Sequence, residues 1–124
     1  MSTILAAFDQ RHAAQLALHR LVEEGIARDD IHIEHDLERL KQLGRARRQG
    51  DHSVLGSLGR VFADLVRTSV DHHQVDVMTE AVERGATMLV ARTPDSALAE
   101  RAARLLKDAG AFRVGVQPAA AAPH

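Results

Sequence analysis

The sequence predicts an α+β domain on three observations: two segments that each read strand-helix-strand, a likeness between those segments, and a helical stretch between them. The first unit opens with "TILAAF" (3–8), an apolar run of the length of a buried strand. Asp9 is the expected N-cap of a helix over "QRHAAQLALHRLVEEG" (10–25). Ala14, Ala17, Leu18, Leu21 and Val22 share one face of it, His12 and His19 fall on the solvent side, and Gly25 is the stop. "DDIHIEH" (29–35) alternates, with Ile31 and Ile33 on one side and His32 and Glu34 on the other, as in a half-buried strand.

The second unit repeats this order. "TMLVART" (87–93) is a strand, and "PDSALAERAARLLKDAG" (94–110) is a helix with Pro94 and Asp95 or Ser96 at its start and Gly110 at its end. "FRVGV" (112–116) is the last strand. "TILAA" aligns with "TMLVA" and "LHRLVEEG" with "ARLLKDAG", so both halves are expected to form the same supersecondary unit. Two such units in succession fold most simply into a ferredoxin-like sandwich, a four-stranded antiparallel sheet with the repeat helices on one face and 3–8 and 87–93 as central strands. The predicted domain is 1–117, with repeats 3–35 and 87–116, a helical insertion 36–85, and a disordered tail 118–124, "PAAAAPH".

Within the insertion, 36–52 is charged and broken by Gly44 and Gly50. A helix is predicted over 53–70 from the spacing of Leu55, Leu58, Val61, Phe62, Leu65 and Val66. A second, over 72–85, turns Val75, Met78, Ala81 and Val82 inward. On the sheet, Ile4, Ala6, Phe8, Met88, Val90, Ile31, Ile33 and Val114 are expected to face the repeat helices, with Leu5, Ala7, Leu89, Ala91, Thr3 and Thr87 opposite. That second face is too apolar to be left in water. Either the inserted helices cover it or a second copy does. A homodimer is favoured, with Leu5, Ala7, Leu89 and Ala91 as its interface.

Composition removes several functions. Three Phe are the only aromatics, which argues against stacking platforms for nucleic acid. A net charge of −1 gives no field toward DNA or an anionic membrane. The absence of cysteine excludes disulfides, thiolate catalysis and Cys-based zinc sites. No apolar stretch approaches the ~20 residues of a membrane-spanning helix, and the start lacks a basic signal-peptide region. A cytoplasmic protein is therefore expected.

"VDHHQVD" (70–76) contains the Asp-His-His triplet that names a phosphoesterase superfamily. Those enzymes hold two metals with several further Asp and His motifs, and none is found here. Asp71 reads instead as a helix N-cap. A simpler metal site has more support: His72 and Asp76 lie four apart on a helix, beside His73, and His32 and His35 lie three apart on or after a strand. A divalent-metal protein using His32, His35, His72, His73 and Asp76 is the alternative reading. "RLKQLGRARR" (39–48), with Arg39, Lys41, Arg45, Arg47 and Arg48, reads as a solvated linker or a contact for an acidic partner, and "LGSLG" (55–59) lacks the Lys-Ser/Thr of a P-loop. No catalytic constellation is present.

"TILAAFDQRHAAQLALHRLVEEGI" resembles the opening of the bacterial general stress (heat-induced stress, YflT-like) protein domain. "VMTEAVERGATMLVARTPDSALAERAARLLKDAGA" is similar to that family's helix with an Arg-Gly corner, apolar strand, acidic turn and glycine-closed helix. The likeness spans roughly 3–35 and 75–116. The chain departs from the family pattern at Met78, where many members carry tyrosine, and at Ala86, where many carry glycine. The resemblance implies a stress-associated, non-enzymatic bacterial protein and supplies no catalytic residues. The expected function is a binding or regulatory module acting as a homo-oligomer, open to a small ligand, with no cofactor, nucleic acid or membrane partner.

Overall fold

The structure is a computed structural model that describes residues 2–41 and 72–117. The helix expected over 53–70, the "LGSLG" stretch, Asp71, Arg45, Arg47, Arg48 and the 118–124 tail lie outside the described residues. Four strands, β1 (Ser2–Phe8), β2 (Ile31–Glu34), β3 (Thr87–Thr93) and β4 (Arg113–Gln117), form one sheet in the order β2-β3-β1-β4. Every neighbouring pair is antiparallel. The helices include α1 (Arg11–Glu23), α2 (His72–Glu83) and α3 (Ser96–Asp108); a 3-10 turn, Arg28–Asp30, leads into β2, and residues 37–41 after β2 are also helical. The class is α+β, β1 and β3 are central as expected, and the order is compatible with a ferredoxin-like sandwich. Among the described residues, no helix is long and apolar enough to cross a membrane.

The repeat helices stop in the same way, and so does α2, where Gly85 (φ 96°) donates to Val82 and Ala86 to Ala81. Gly25 and Gly110 hold φ of 113° and 105°, a region open to glycine at little cost. Beyond α1, Gly25 N–H donates to the Val22 carbonyl and Ile26 N–H to that of Leu21. Beyond α3, Gly110 N–H donates to Lys107 and Ala111 N–H to Leu106. Both are the same double-bonded C-terminal cap, which satisfies carbonyls left over at the helix end.

The helix starts differ. Asp95 caps α3 as expected, accepting from Ala97 N at 2.9 Å and Leu98 N at 3.3 Å. Asp9 does not cap α1, because Gln10 is extended (φ −130°, ψ 137°) and the helix begins one residue later. Asp9 is left outside the capping position.

One face of the sheet carries the main core. Ile4, Ala6 and Phe8 of β1, Leu89 and Ala91 of β3, and Ile31 of β2 pack against Ala14, Ala17, Leu18 and Leu21 of α1 and Ala99, Ala102 and Leu106 of α3. Alanines where the two helices meet permit close approach and leave the volume to be filled by Phe8 and the leucines. Val22, expected inward, is 40 % exposed.

The phase of β3 corrects the expected faces. Residues directly opposed across an antiparallel pair share a face. Ala6 opposes Leu89 and Ile4 opposes Ala91, so Leu89 and Ala91 face the helices. Met88 and Val90, opposite Ala7 and Leu5, lie on the second face. Thr87, opposite Phe8, also belongs to the helix side.

Phe8→Ala is expected to cost about 3–5 kcal/mol, as for truncation of a fully buried aromatic. Asp95→Ala is expected to cost about 1 kcal/mol, the worth of one N-cap. Urea unfolding of the two variants beside the parent chain measures both.

Candidate functional site

The second face is closed within a single chain. Leu5, Ala7, Met88 and Val90 are all buried, and the inner side of α2 is marked by buried Met78 and Val82. Of the residues expected inward on this helix, Ala81 is half-buried and the side chain of Val75 lies outside the described residues. The proposed dimer interface therefore divides: Leu5 and Ala7 are covered on the second face, and Leu89 and Ala91 lie in the core beneath the other helices.

Cover over this face is uneven, and the sequence of β4 explains why. Its residues on the second face are Arg113, opposite Ala7, and Gly115, opposite Leu5. Gly115 offers no side chain and Ala7 a methyl group, so the space beneath α2 is not filled there. A cavity of about 100 Å³ results, lined by Leu5, Ala7, Val77, Met78, Ala81, Met88, Arg113 and Gly115, among others. An outer space of about 360 Å³ shares Val77, Ala81 and Arg113 with it and adds Asp9, Glu80, Arg84 and Phe112.

The cleft thus runs from an apolar throat, past a guanidinium, to a charged mouth. Arg84 is occupied by Glu80 at 2.9 Å. Arg113 makes no ion pair among the described residues. An unpaired arginine beside an apolar pocket can hold a carboxylate whose tail goes inward.

The β2 side of the same face is polar. Glu34 is buried and accepts hydrogen bonds from His32 Nε2 (3.0 Å), the Asp36 N–H (3.2 Å) and the Arg39 side chain. Burial alone would push its carboxyl up. The hydrogen bonds from His32, Arg39 and Asp36, with the charge of Arg39, outweigh burial and hold it at about 2, from an ordinary 4.5. Arg39, read from sequence as part of a solvated linker, is half-buried instead and closes this cluster. Beside it, Arg92 is buried and donates to Asp30 at 3.1 Å, tying β3 to the turn before β2.

The residues singled out for metal binding are placed as follows. His32 is bound to Glu34, while the Nδ1 of His35 accepts from Arg11 at 3.4 Å. Asp76 is exposed on α2. His72 and His73 belong by backbone to the first turn of α2, and their side chains lie outside the described residues. Among the described residues, no group of three or more His, Asp or Glu side chains is placed to hold a metal ion.

Arg113, Gly115, Glu34 and Arg92 were not singled out from sequence. The legible signal was Gly115, a glycine inside the short apolar strand "FRVGV", which marks space or close approach. The others needed the register.

Glu34 ties acid stability to the fold. Its folded carboxyl lies below the unfolded value, so its contribution is complete above pH about 4.5 and is lost as pH falls toward about 2. In Glu34→Gln the part of the acid-induced decline due to this group should vanish. Urea midpoints measured across that pH window, parent against variant, check this.

Comparison with protein-family models, curated proteins and solved structures found no match.

Proposed function

We propose that the chain is a non-enzymatic, stress-associated regulatory module that binds a short-chain carboxylate in the cleft beneath α2. The observation that carries the ligand is the void left by Gly115 with Arg113 at its mouth. The stress association is supported by the sequence resemblance alone.

Size sets the ligand class. An apolar cavity of roughly 150 Å³ accommodates benzene, so one of about 100 Å³ takes a tail of roughly four carbons. Burying four methylenes is worth about 3 kcal/mol. A charge-assisted bond to Arg113 adds roughly 1.5–3 kcal/mol. The sum, before the cost of ordering, corresponds to affinity no tighter than roughly tens of micromolar to a millimolar. Such an affinity suits a sensor of an abundant metabolite.

Homo-oligomerisation stays in this reading but on another surface. Leu5, Ala7, Leu89 and Ala91 are buried within one chain, whereas Phe112 and Val116, beside and on the outer strand β4, are 53 % and 38 % exposed. A partner strand added at this edge would cover them.

Titration with pentanoate, followed by NMR of the backbone amides, should perturb Val77, Ala81 and Gly115 and saturate. Gly115→Val should abolish the response by filling the throat, and Arg113→Ala should weaken it about tenfold. Perturbations that persist undiminished in Gly115→Val would end the carboxylate reading. For the oligomer, Phe112→Asp is expected to lower the sedimenting mass to that of one chain. A parent protein that already sediments as one chain would remove the oligomer from the reading.

A further inference from the structure

A groove on the other side of the molecule, between α1 and the outer strand β2, has a different chemistry. Its volume is about 500 Å³ and its polar lining is Arg11, Gln15, His19, Arg28, His32 and His35. No carboxylate lines it. We infer that this groove is a second binding site, independent of the cleft beneath α2, for a small molecule bearing phosphate.

The donors point to an anion rather than a metal. Arg11 lies 3.4 Å from His35 Nδ1, so in this contact that nitrogen accepts and the ring proton sits on Nε2. His32 is engaged by Glu34 at 3.0 Å. His35 has no electron pair for a metal without giving up Arg11, and an ion held by His32 alone would also meet the guanidiniums of Arg11 and Arg28. A phosphate meets the reverse. Arg28 is exposed and makes no ion pair among the described residues. The unused N–H groups of Arg11 and the exposed His19 add donors, and guanidinium forks match phosphate oxygens in pairs.

The charges around the groove favour the same ligand. On α1 these are Arg11, His12 and His19; on the turn, Arg28, Asp29 and Asp30; on and after β2, His32, Glu34, His35 and Asp36. Asp30 is held by Arg92, Glu34 by His32 and Arg39, and Asp36 accepts from the Glu38 N–H at 2.9 Å. Asp29 is exposed and does not line the groove.

Calorimetric titration with inorganic pyrophosphate tests the site. Pyrophosphate should bind saturably, and Arg28→Ala should weaken it about tenfold. Arg113→Ala, which disables the cleft beneath α2, should leave pyrophosphate binding unchanged, so each site fails or stands alone. The absence of saturable pyrophosphate binding, or binding unaffected by Arg28→Ala, would overturn the inference. So would zinc stabilisation lost in His35→Ala, which would return these histidines to metal binding. Preference for single-stranded RNA over pyrophosphate would equally replace the small molecule with a polymer.

Discussion

The antiparallel pairing of β1 with β3 runs from Ser2 opposite Thr93 to Phe8 opposite Thr87, and both strands are buried on both faces along their whole length. A sheet centre of this kind cannot be stable with one layer of helices. It requires a cover on each side, and the two covers have different origins. The duplicated helices α1 and α3 supply one, with matched glycine caps and alanine contacts. Within the described residues, α2 supplies the other, and it comes from the segment that the duplication does not contain.

This asymmetry places the chemistry. The repeat helices meet a complementary apolar face and open only at its edge, in the groove between α1 and β2. The second face was not built by the same duplication, and its fit is looser: buried ion pairs at the β2 side, an unfilled pocket at the β4 side. Buried pairs such as Arg92 with Asp30 contribute little net stability against an apolar alternative, yet losing one partner is costly because a charge is left behind. They fix how β3 meets the turn before β2 more than they strengthen the fold.

Most of the elements were legible because their signals are local. Gly25 and Gly110 end helices wherever the chain goes, and Asp95 caps α3 with its own side chain. The phase of β3 was not legible, because Thr87–Thr93 is apolar at both parities and alternation gives no preference. Pairing with β1 decides it. The cap of α1 failed for a similar reason: Asp9 and Gln10 differ by one residue of backbone conformation that composition does not specify. At the candidate sites, His32 and His35 drew attention as ligands by residue type. Their partners, Glu34 and Arg11, are what change their chemistry, and Arg11 is brought to His35 only by the packing of α1 beside β2.

The central place of β1 also has a kinetic consequence. Ser2 pairs with Thr93 and Thr3 with Gln117, so the strand synthesised first among the four finds its neighbours only in the two strands that come last. Closing those long loops costs entropy before any contact returns it. During synthesis β1 must wait, apolar on both faces, until β3 and β4 have emerged. The interval between making β1 and making its partners is therefore when this apolar strand is most exposed to aggregation, and a change in that interval would alter yield without altering the folded protein.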